Sequence, residues 1–229
     1  MNTSIVLVSR GRPEMLDGLY RSLVDTCELP FELIVGCDSD DQSLVRYFKL
    51  SSSYENIKFV VDKRSDNLHT KMNNLLSLVQ GENILVMNDD CLLTNKGWDR
   101  LAKEKMVGPE NLYGRTHDNS IDRVSQDYAA FPLIKTVAAR KLGFIMDARF
   151  GNHGSDVVTY RIYSHTHQVV DLPEVQIDHT FHNSQQGLEE RKVDQTANEM
   201  IGRTFSDPKF SVNELFNCDV TNEVFRLNE

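Results

Sequence analysis

What this chain has little of bounds it first. Its four cysteines, Cys27, Cys37, Cys91 and Cys218, show no CxxC spacing, which excludes a disulfide framework and points to free thiols in a reducing compartment. No apolar run is long enough to span a bilayer, and the opening MNTSIVLVSRGRP reaches arginine too soon for a secretory leader. The reading is a cytoplasmic protein without membrane insertion. Positive charge is also short. With 25 Lys and Arg against 34 Asp and Glu, the formal charge is −9, so the basic footprint of nucleic-acid binding is missing. Internal repeats and low-complexity tracts are absent.

What is present is the composition of an ordinary folded domain, 229 residues with 40% hydrophobic side chains. Ser4 to Val8 reads as a strand, followed by Ser9-Arg10-Gly11-Arg12 and a helix opened by Pro13. In that helix Leu16, Leu19 and Leu23 share a face. Phe31 to Cys37 is a second strand, ending in Asp38-Ser39-Asp40-Asp41. Residues 42 to 54 follow as a helix with Leu44, Tyr47 and Phe48 inward. A third strand, Ile57 to Val61, leads through a polar loop to a helix with Leu68, Met72, Leu75, Leu76 and Val79 on one face. A fourth strand, Asn83 to Met87, completes a βαβ alternation and implies a mostly parallel sheet.

The rest is less regular. We expect a helix at Gly97 to Lys105, a loop over 111 to 127 with an edge strand at Asn111 to Gly114, a strand at Ala129 to Ile134, and a helix at Val137 to Leu142. A helix from Ser155 to about His165 and a strand from Val169 to Asp178 follow, with Pro173 marking an edge or bulge. The division is one domain over 1–183, with a nucleotide-binding half 1–95 and an acceptor half 96–183, and a helical then irregular extension over 184–229.

The stretch GENILVMNDDCLL carries the most chemistry. An apolar strand runs straight into Asn88, Asp89 and Asp90, and in open α/β sheets ligands bind at that carboxyl edge. Adjacent carboxylates repel unless a cation relieves them, and a hard divalent ion with oxygen ligands does so while holding a diphosphate. The competing structural reading is a helix cap.

These motifs, in this order, resemble a nucleotide-diphospho-sugar glycosyltransferase of the GT-A fold, an α/β architecture related to the Rossmann fold, and most of all glycosyltransferase family 2. The resemblance covers residues 4 to 183. It implies nucleoside contacts from Ser9, Arg10, Arg12 and Asp38 or Asp40, and donor contacts from Arg64, Lys71 and Asn74. Asn88-Asp89-Asp90 stands for the family's DXD motif, with Asp90 on a metal ion and Asn88 or Asp89 on the ribose side. Gly143, Phe144 and Asp147, then Asp156 after Gly154-Ser155, match its glycine-rich loop and catalytic acid, making Asp156 the general base. In IDHTFHN, residues three apart on a strand face opposite ways, so His179 and His182 cannot both face the metal unless the chain turns between them; the resemblance, which places a histidine ligand just after this strand, implies His179 ahead of His182. The implied cofactor is Mn²⁺ or Mg²⁺, the implied donor a UDP-sugar, and the implied outcome hexosyl or pentosyl transfer to a hydroxyl, inverting if Asp156 is the base.

Two other functions compete. Nucleotidyl transfer would need a glycine-rich phosphate loop after the first strand, where SRGRP has one glycine. A non-catalytic nucleotide-sugar-binding module would fit the asparagine in place of the first acid. The acceptor stays open among saccharide, protein, metabolite and modified DNA base, the last disfavoured by net charge, and the sequence does not set the oligomeric state.

Overall fold

Runs of β-branched residues alternating with amphipathic stripes leave the first half of the chain one economical solution, a parallel sheet covered on both faces. The computed structural model describes residues 2–108, 112–119, 128–148, 155–164 and 169–179. That first half contains β1 (Thr3–Val8), α1 (Pro13–Thr26), β2 (Phe31–Asp38), α2 (Leu44–Ser51), β3 (Ile57–Asp62), α3 (Leu68–Asn74) and β4 (Asn83–Val86). Beyond it come β5 (Cys91–Leu93), α4 (Trp98–Lys105), β6 (Tyr113–Asp118), β7 (Leu133–Lys135), α5 (Thr136–Leu142), α6 (Ser155–Ser164) and β8 (Val169–His179).

The eight strands form one sheet in the order β3-β2-β1-β4-β7-β6-β8-β5. Pairings β1–β2, β2–β3, β1–β4 and β6–β8 are parallel, whereas β4–β7, β6–β7 and β5–β8 are antiparallel. Following those directions, the carboxyl ends of β1, β2, β3, β4, β6 and β8 all reach the same edge. Asp38, Asp62, Asp118 and His179 therefore end their strands where Asn88, Asp89 and Asp90 leave β4.

Side chains alternate across the sheet, and each face has its own core. Ile5, Leu7, Leu33 and Val35 pack with Leu16, Leu19 and Leu23 of α1, Tyr47 of α2 and Trp98 of α4. Val6, Ile34 and Val86 face the other way, toward Met72 of α3, Ala138 and Ala139 of α5 and Val158 and Ile162 of α6. Burying one such Leu or Val is worth about 2 kcal/mol, so each helix is held by its stripe more than by its length. Among the described residues no helix is long and apolar enough to cross a membrane, and Cys27, Cys37 and Cys91 are free thiols.

The structure departs from expectation at β6, at β5 and at Phe48 of α2, and the strand expected at Ala129 to Ile134 is the shorter β7. The strand expected at the edge, Asn111 to Gly114, meets the observed one only at Tyr113 and Gly114, where a longer β6 begins inside the sheet, between β7 and β8. Its Thr116 and Asp118 are buried rather than looped out, Thr116 donating to the Phe131 carbonyl at 2.5 Å. Three-residue β5, which the hydrophobic pattern does not announce, pairs with the end of β8. Phe48 is 46% exposed, because Tyr47 takes the inward position of α2 while Phe48 leans edge-on against Phe59 of β3. Pro173 sits where the β6–β8 register slips between Arg115 and His117, the bulge its presence implies. His165, His167, His182, Arg123 and the extension over 184–229 lie outside the described residues.

At the opposite end of the sheet, Glu32 is buried. Its carboxylate accepts from Ser4 Oγ at 2.5 Å, from the Gln80 amide at 2.7 Å and from Lys58 Nζ at 2.7 Å. Burial acts to raise this carboxyl, and the bonds from Lys58, Ser4 and Gln80 outweigh it, leaving the group below its ordinary value. A depressed carboxyl contributes stability above its unfolded pKa and loses it as pH falls through the folded value. Glu32→Ala is expected to cost about 2 kcal/mol near neutrality, by stranding the buried Ser4 hydroxyl and freeing the Gln80 amide and Lys58. In urea titrations the gap between variant and wild type should narrow in acid; a gap of equal size at both ends of the pH range would contradict this account.

Candidate active site

Pro13 opens α1, so the chain must cross the sheet edge between Val8 and Arg12 in one short loop. That loop is tied down by hydrogen bonds whose direction follows from proton supply. The Ser9 hydroxyl donates to Asp89 Oδ2 at 2.5 Å, so it must accept from the Tyr47 hydroxyl, 2.6 Å away. Tyr47 Oη in turn accepts from the Arg12 amide at 2.9 Å. Asp41 adds a second clamp, accepting from the Gly11 amide at 2.8 Å and the Ser43 amide at 2.7 Å. Gly11 has φ +70°, a left-handed conformation suited to glycine.

On the β2 side, Ile34, Gly36 and Asp38 alternate onto the α3 face. The Lys71 stem passes over Gly36, 3.6 Å from where a Cβ would sit, an ordinary contact distance. Lys71 thus reaches Asp38 as a buried ion pair. Arg10 Nη1 bonds Asp38 at 2.9 Å and Asp40 at 2.5 Å. Burial acts to raise the Asp38 carboxyl, but Lys71 and Arg10 prevail and hold it below the ordinary carboxylate range. Arg10 chiefly, and Arg64 weakly, lower the exposed Asp40. This is a rim of mixed charge, partly open to water.

On the β4 side, neighbouring residues turn opposite ways. Asp89 is buried, with Oδ1 2.8 Å from Arg12 Nη2, and burial pushes its carboxyl up to about 6 against the pull of Arg12 and Ser9. Asp90 Oδ1 faces His179 Nε2 at 3.3 Å, and Arg12 Nη1 stands 3.6 Å from its other oxygen. Burial acts to raise Asp90, and the bond with His179 reverses the sign and lowers it. Asn88 is half-buried beside them.

Asp90, Cys91 and His179 bring ligand-type atoms within 4.8 Å of one another. Burial raises the Cys91 thiol well above its ordinary value, and a soft sulfur ligand is not what Mn²⁺ or Mg²⁺ favours. The usable donors are a carboxylate oxygen and an imidazole nitrogen, a set that fits Mn²⁺ or another divalent ion of its kind. The His179 ring is steadied edge-on by Phe131, with centroids 5.3 Å apart.

A family model described as glycosyl transferase family 2 matches residues 4–166. The chain belongs to that family. Among curated proteins no match was found. Solved structures give the fold. S. aureus TarS 1–349 in complex with UDP superposes with a TM-score of 0.65 at 15% identity, over 94% of this chain and 75% of that one. TarS 1–349 in complex with UDP-GlcNAc gives 0.63 at 14%, over 99% and 79%. Mannosyltransferase PcManGT from Pyrobaculum calidifontis, in complex with GDP-Man and Mn²⁺, gives 0.72 at 11%, over 99% and 69%. The α/β fold of this family 2 glycosyltransferase is the GT-A type that the motif order implies.

Ser9, Arg10, Arg12, Asp38, Asp40, Lys71, Asp89, Asp90 and His179 are thus linked by direct contacts along one edge, with Arg64 near Asp40. Asn74 faces outward from α3. Its neighbour Asn73 binds the chain, accepting from the Ile145 and Met146 amides at 2.8 and 3.0 Å and donating to the Met146 carbonyl at 2.8 Å. That contact ties the loop after Gly143 to the helix carrying Lys71. Asp147 continues the tie, its amide donating to Thr159 at 3.3 Å while its carbonyl accepts from Ser155 at 2.5 Å. Asp156 follows in the first turn of α6, half-buried, one carboxylate oxygen accepting from the Val157 amide at 2.8 Å.

Tyr47, Asp41 and Asn73 went unread in the sequence. The first looks like a core aromatic, the second like part of a turn, and the third is one helical position from the residue chosen. Tyr47→Phe keeps the packing and deletes the hydroxyl between Arg12 and Ser9. It is expected to cost about 1–2 kcal/mol and to speed amide exchange over residues 9–12. Unchanged exchange in that peptide would show that the loop is held by other contacts.

Proposed function

We propose that this glycosyltransferase moves a sugar from a nucleotide-diphosphate donor, a UDP-sugar first among candidates, to an acceptor hydroxyl, with inversion and with Mn²⁺ or Mg²⁺ as cofactor. The observation that carries this is the single loop, Ser9 to Arg12, bonded on one side to Asp38 and Asp40 and on the other to Asp89 and Asp90. A nucleoside site and a diphosphate site need that adjacency. The solved structures with UDP, UDP-GlcNAc and GDP-Man with Mn²⁺ support the donor class.

In this reading Asp38 accepts hydrogen bonds from the base or ribose, Lys71 and Arg10 keep it ionised, and these two with Arg64 offset donor charge. Asp90 and His179 hold the cation, which when bound neutralises charge on the departing diphosphate. Arg12 and Asn88 complete the surround, and Asp89 anchors the loop through Ser9. Asp156 takes the proton of the acceptor hydroxyl as that oxygen bonds to the anomeric carbon. The bond from that carbon to the diphosphate oxygen breaks with its electron pair, releasing the nucleoside diphosphate.

Thermal shift with UDP, UDP-GlcNAc and GDP-Man, each with and without Mn²⁺, tests the donor site. At least one nucleotide should stabilise the protein more with Mn²⁺ than without, and Asp90→Ala and His179→Ala should lose that increment. If no nucleotide stabilises in a metal-dependent way, the proposal fails. Asp156→Asn should lower donor turnover by roughly 10²–10⁴-fold while leaving the nucleotide-dependent shift in place. Turnover at the wild-type level would remove Asp156 from the role of base.

A further inference from the structure

β3 ends the sheet, and among the described residues no strand pairs with its outer side. The Asn56 carbonyl accepts from the Leu33 amide at 2.8 Å and the Asp62 carbonyl from the Ser39 amide at 2.7 Å, so the even-numbered residues turn their backbone groups toward β2. The odd-numbered ones, Ile57, Phe59 and Val61, point theirs away from the sheet. Beside this open edge lies an apolar patch on one face: Val61 is 40% exposed, and Val45 and Phe48 of α2 are 67% and 46% exposed. Natural edges are guarded by charge, proline or brevity. The positive charge on this edge is Lys58, which Glu32 holds at 2.7 Å while its side chain stays 43% exposed, with two further protons to donate.

We propose that this edge pairs with the same edge of a second copy, antiparallel, about a two-fold axis at Val60. The register follows from backbone and charge. Hydrogen-bonded pairs in an antiparallel ladder join residues that both face outward, so odd must meet odd. An axis at Phe59 puts Lys58 opposite apolar Val60. An axis at Val61 brings Lys58 against Arg64, two like charges. An axis at Val60 sets Lys58 opposite Asp62 of the second copy and Phe59 opposite Val61, matching charge with charge and apolar with apolar. Phe59 and Val61 lie on the α2 face, so Val45 and Phe48 of both copies flank the axis and close the patch. The strand is self-complementary in this register alone of the three.

Two variants test it. The Val61 amide faces outward, so Val61→Pro leaves the β2 ladder intact and removes one donor per copy. Sedimentation of the wild-type chain should give twice the 26.2 kDa chain mass. Val61→Pro should weaken the dimer roughly thirtyfold or more, two lost hydrogen bonds at about 1 kcal/mol each, with far-ultraviolet circular dichroism unchanged. Val60→Cys places a thiol on the axis, where non-hydrogen-bonded partners lie about 4.5 Å apart, and mild oxidation should give a disulfide between the two introduced thiols, identified by peptide mass. A monomeric wild-type chain whose Val60→Cys variant does not cross-link overturns the proposal. So does a dimer that Val61→Pro leaves intact and Val60→Cys does not cross-link. If Val61→Pro fails to fold, the cross-link alone decides.

Discussion

Acidic side chains from the ends of two strands can share one edge only if cations stand among them, and β1 provides the place. Because β1 lies between β2 and β4, the loop that follows it is the segment that can touch both acid clusters at once. Arg10 turns to Asp38 and Asp40, while Ser9 and Arg12 turn to Asp89. Strand order thus decides the electrostatics. If β1 and β2 exchanged places, Arg10 and Arg12 would have one acid cluster in reach and the other would need its own counter-charges.

Adjacent residues on an extended chain face opposite ways, and this divides the work of Asp89 and Asp90. The buried Asp89 is held by Ser9 and Arg12 and serves the loop. Asp90 turns toward His179, and that meeting depends on short β5, which pairs Cys91 with His179 one residue after Asp90. The histidine comes from a strand far along the chain, yet its position beside Asp90 is a backbone register. A one-residue slip in β8 would carry the imidazole to the other face of the sheet.

The legible half of the fold was the half where hydrophobic period and burial coincide. The central parallel strands β1, β2 and β4 are mostly apolar because both faces are covered, and acids at their ends stand out against that background. β6 was hard to read for the opposite reason: Thr116 and Asp118 are buried polar residues, and polar burial, such as that of Thr116 on the Phe131 carbonyl, leaves no hydrophobic signature. In the site, strand-end residues such as Asp38 and Asp90 were visible from position alone. Tyr47 was hidden because the same ring that fills the core carries the hydroxyl that fixes Arg12. The choice between Asn73 and Asn74 turned on about 100° of helical rotation, which an irregular loop partner does not announce.

The two ends of the sheet offer an internal comparison that separates structural charge from functional charge. Glu32 and Lys58 form a buried carboxylate and its cation, with both carboxylate oxygens engaged by the protein's own donors and two backbone segments stitched together as a result. Asp38 and Lys71 form the same kind of pair at the other end, but they extend outward through Arg10, Asp40 and Arg64 to groups that stay exposed. Buried ion pairs are weak contributors to stability, and well-packed apolar replacements often do as well. A pair that closes on itself explains itself by holding the chain. A pair that continues into open, mixed charge at the carboxyl edge of a parallel sheet keeps groups in reach of a charged ligand from solution, which is what the proposed donor site requires.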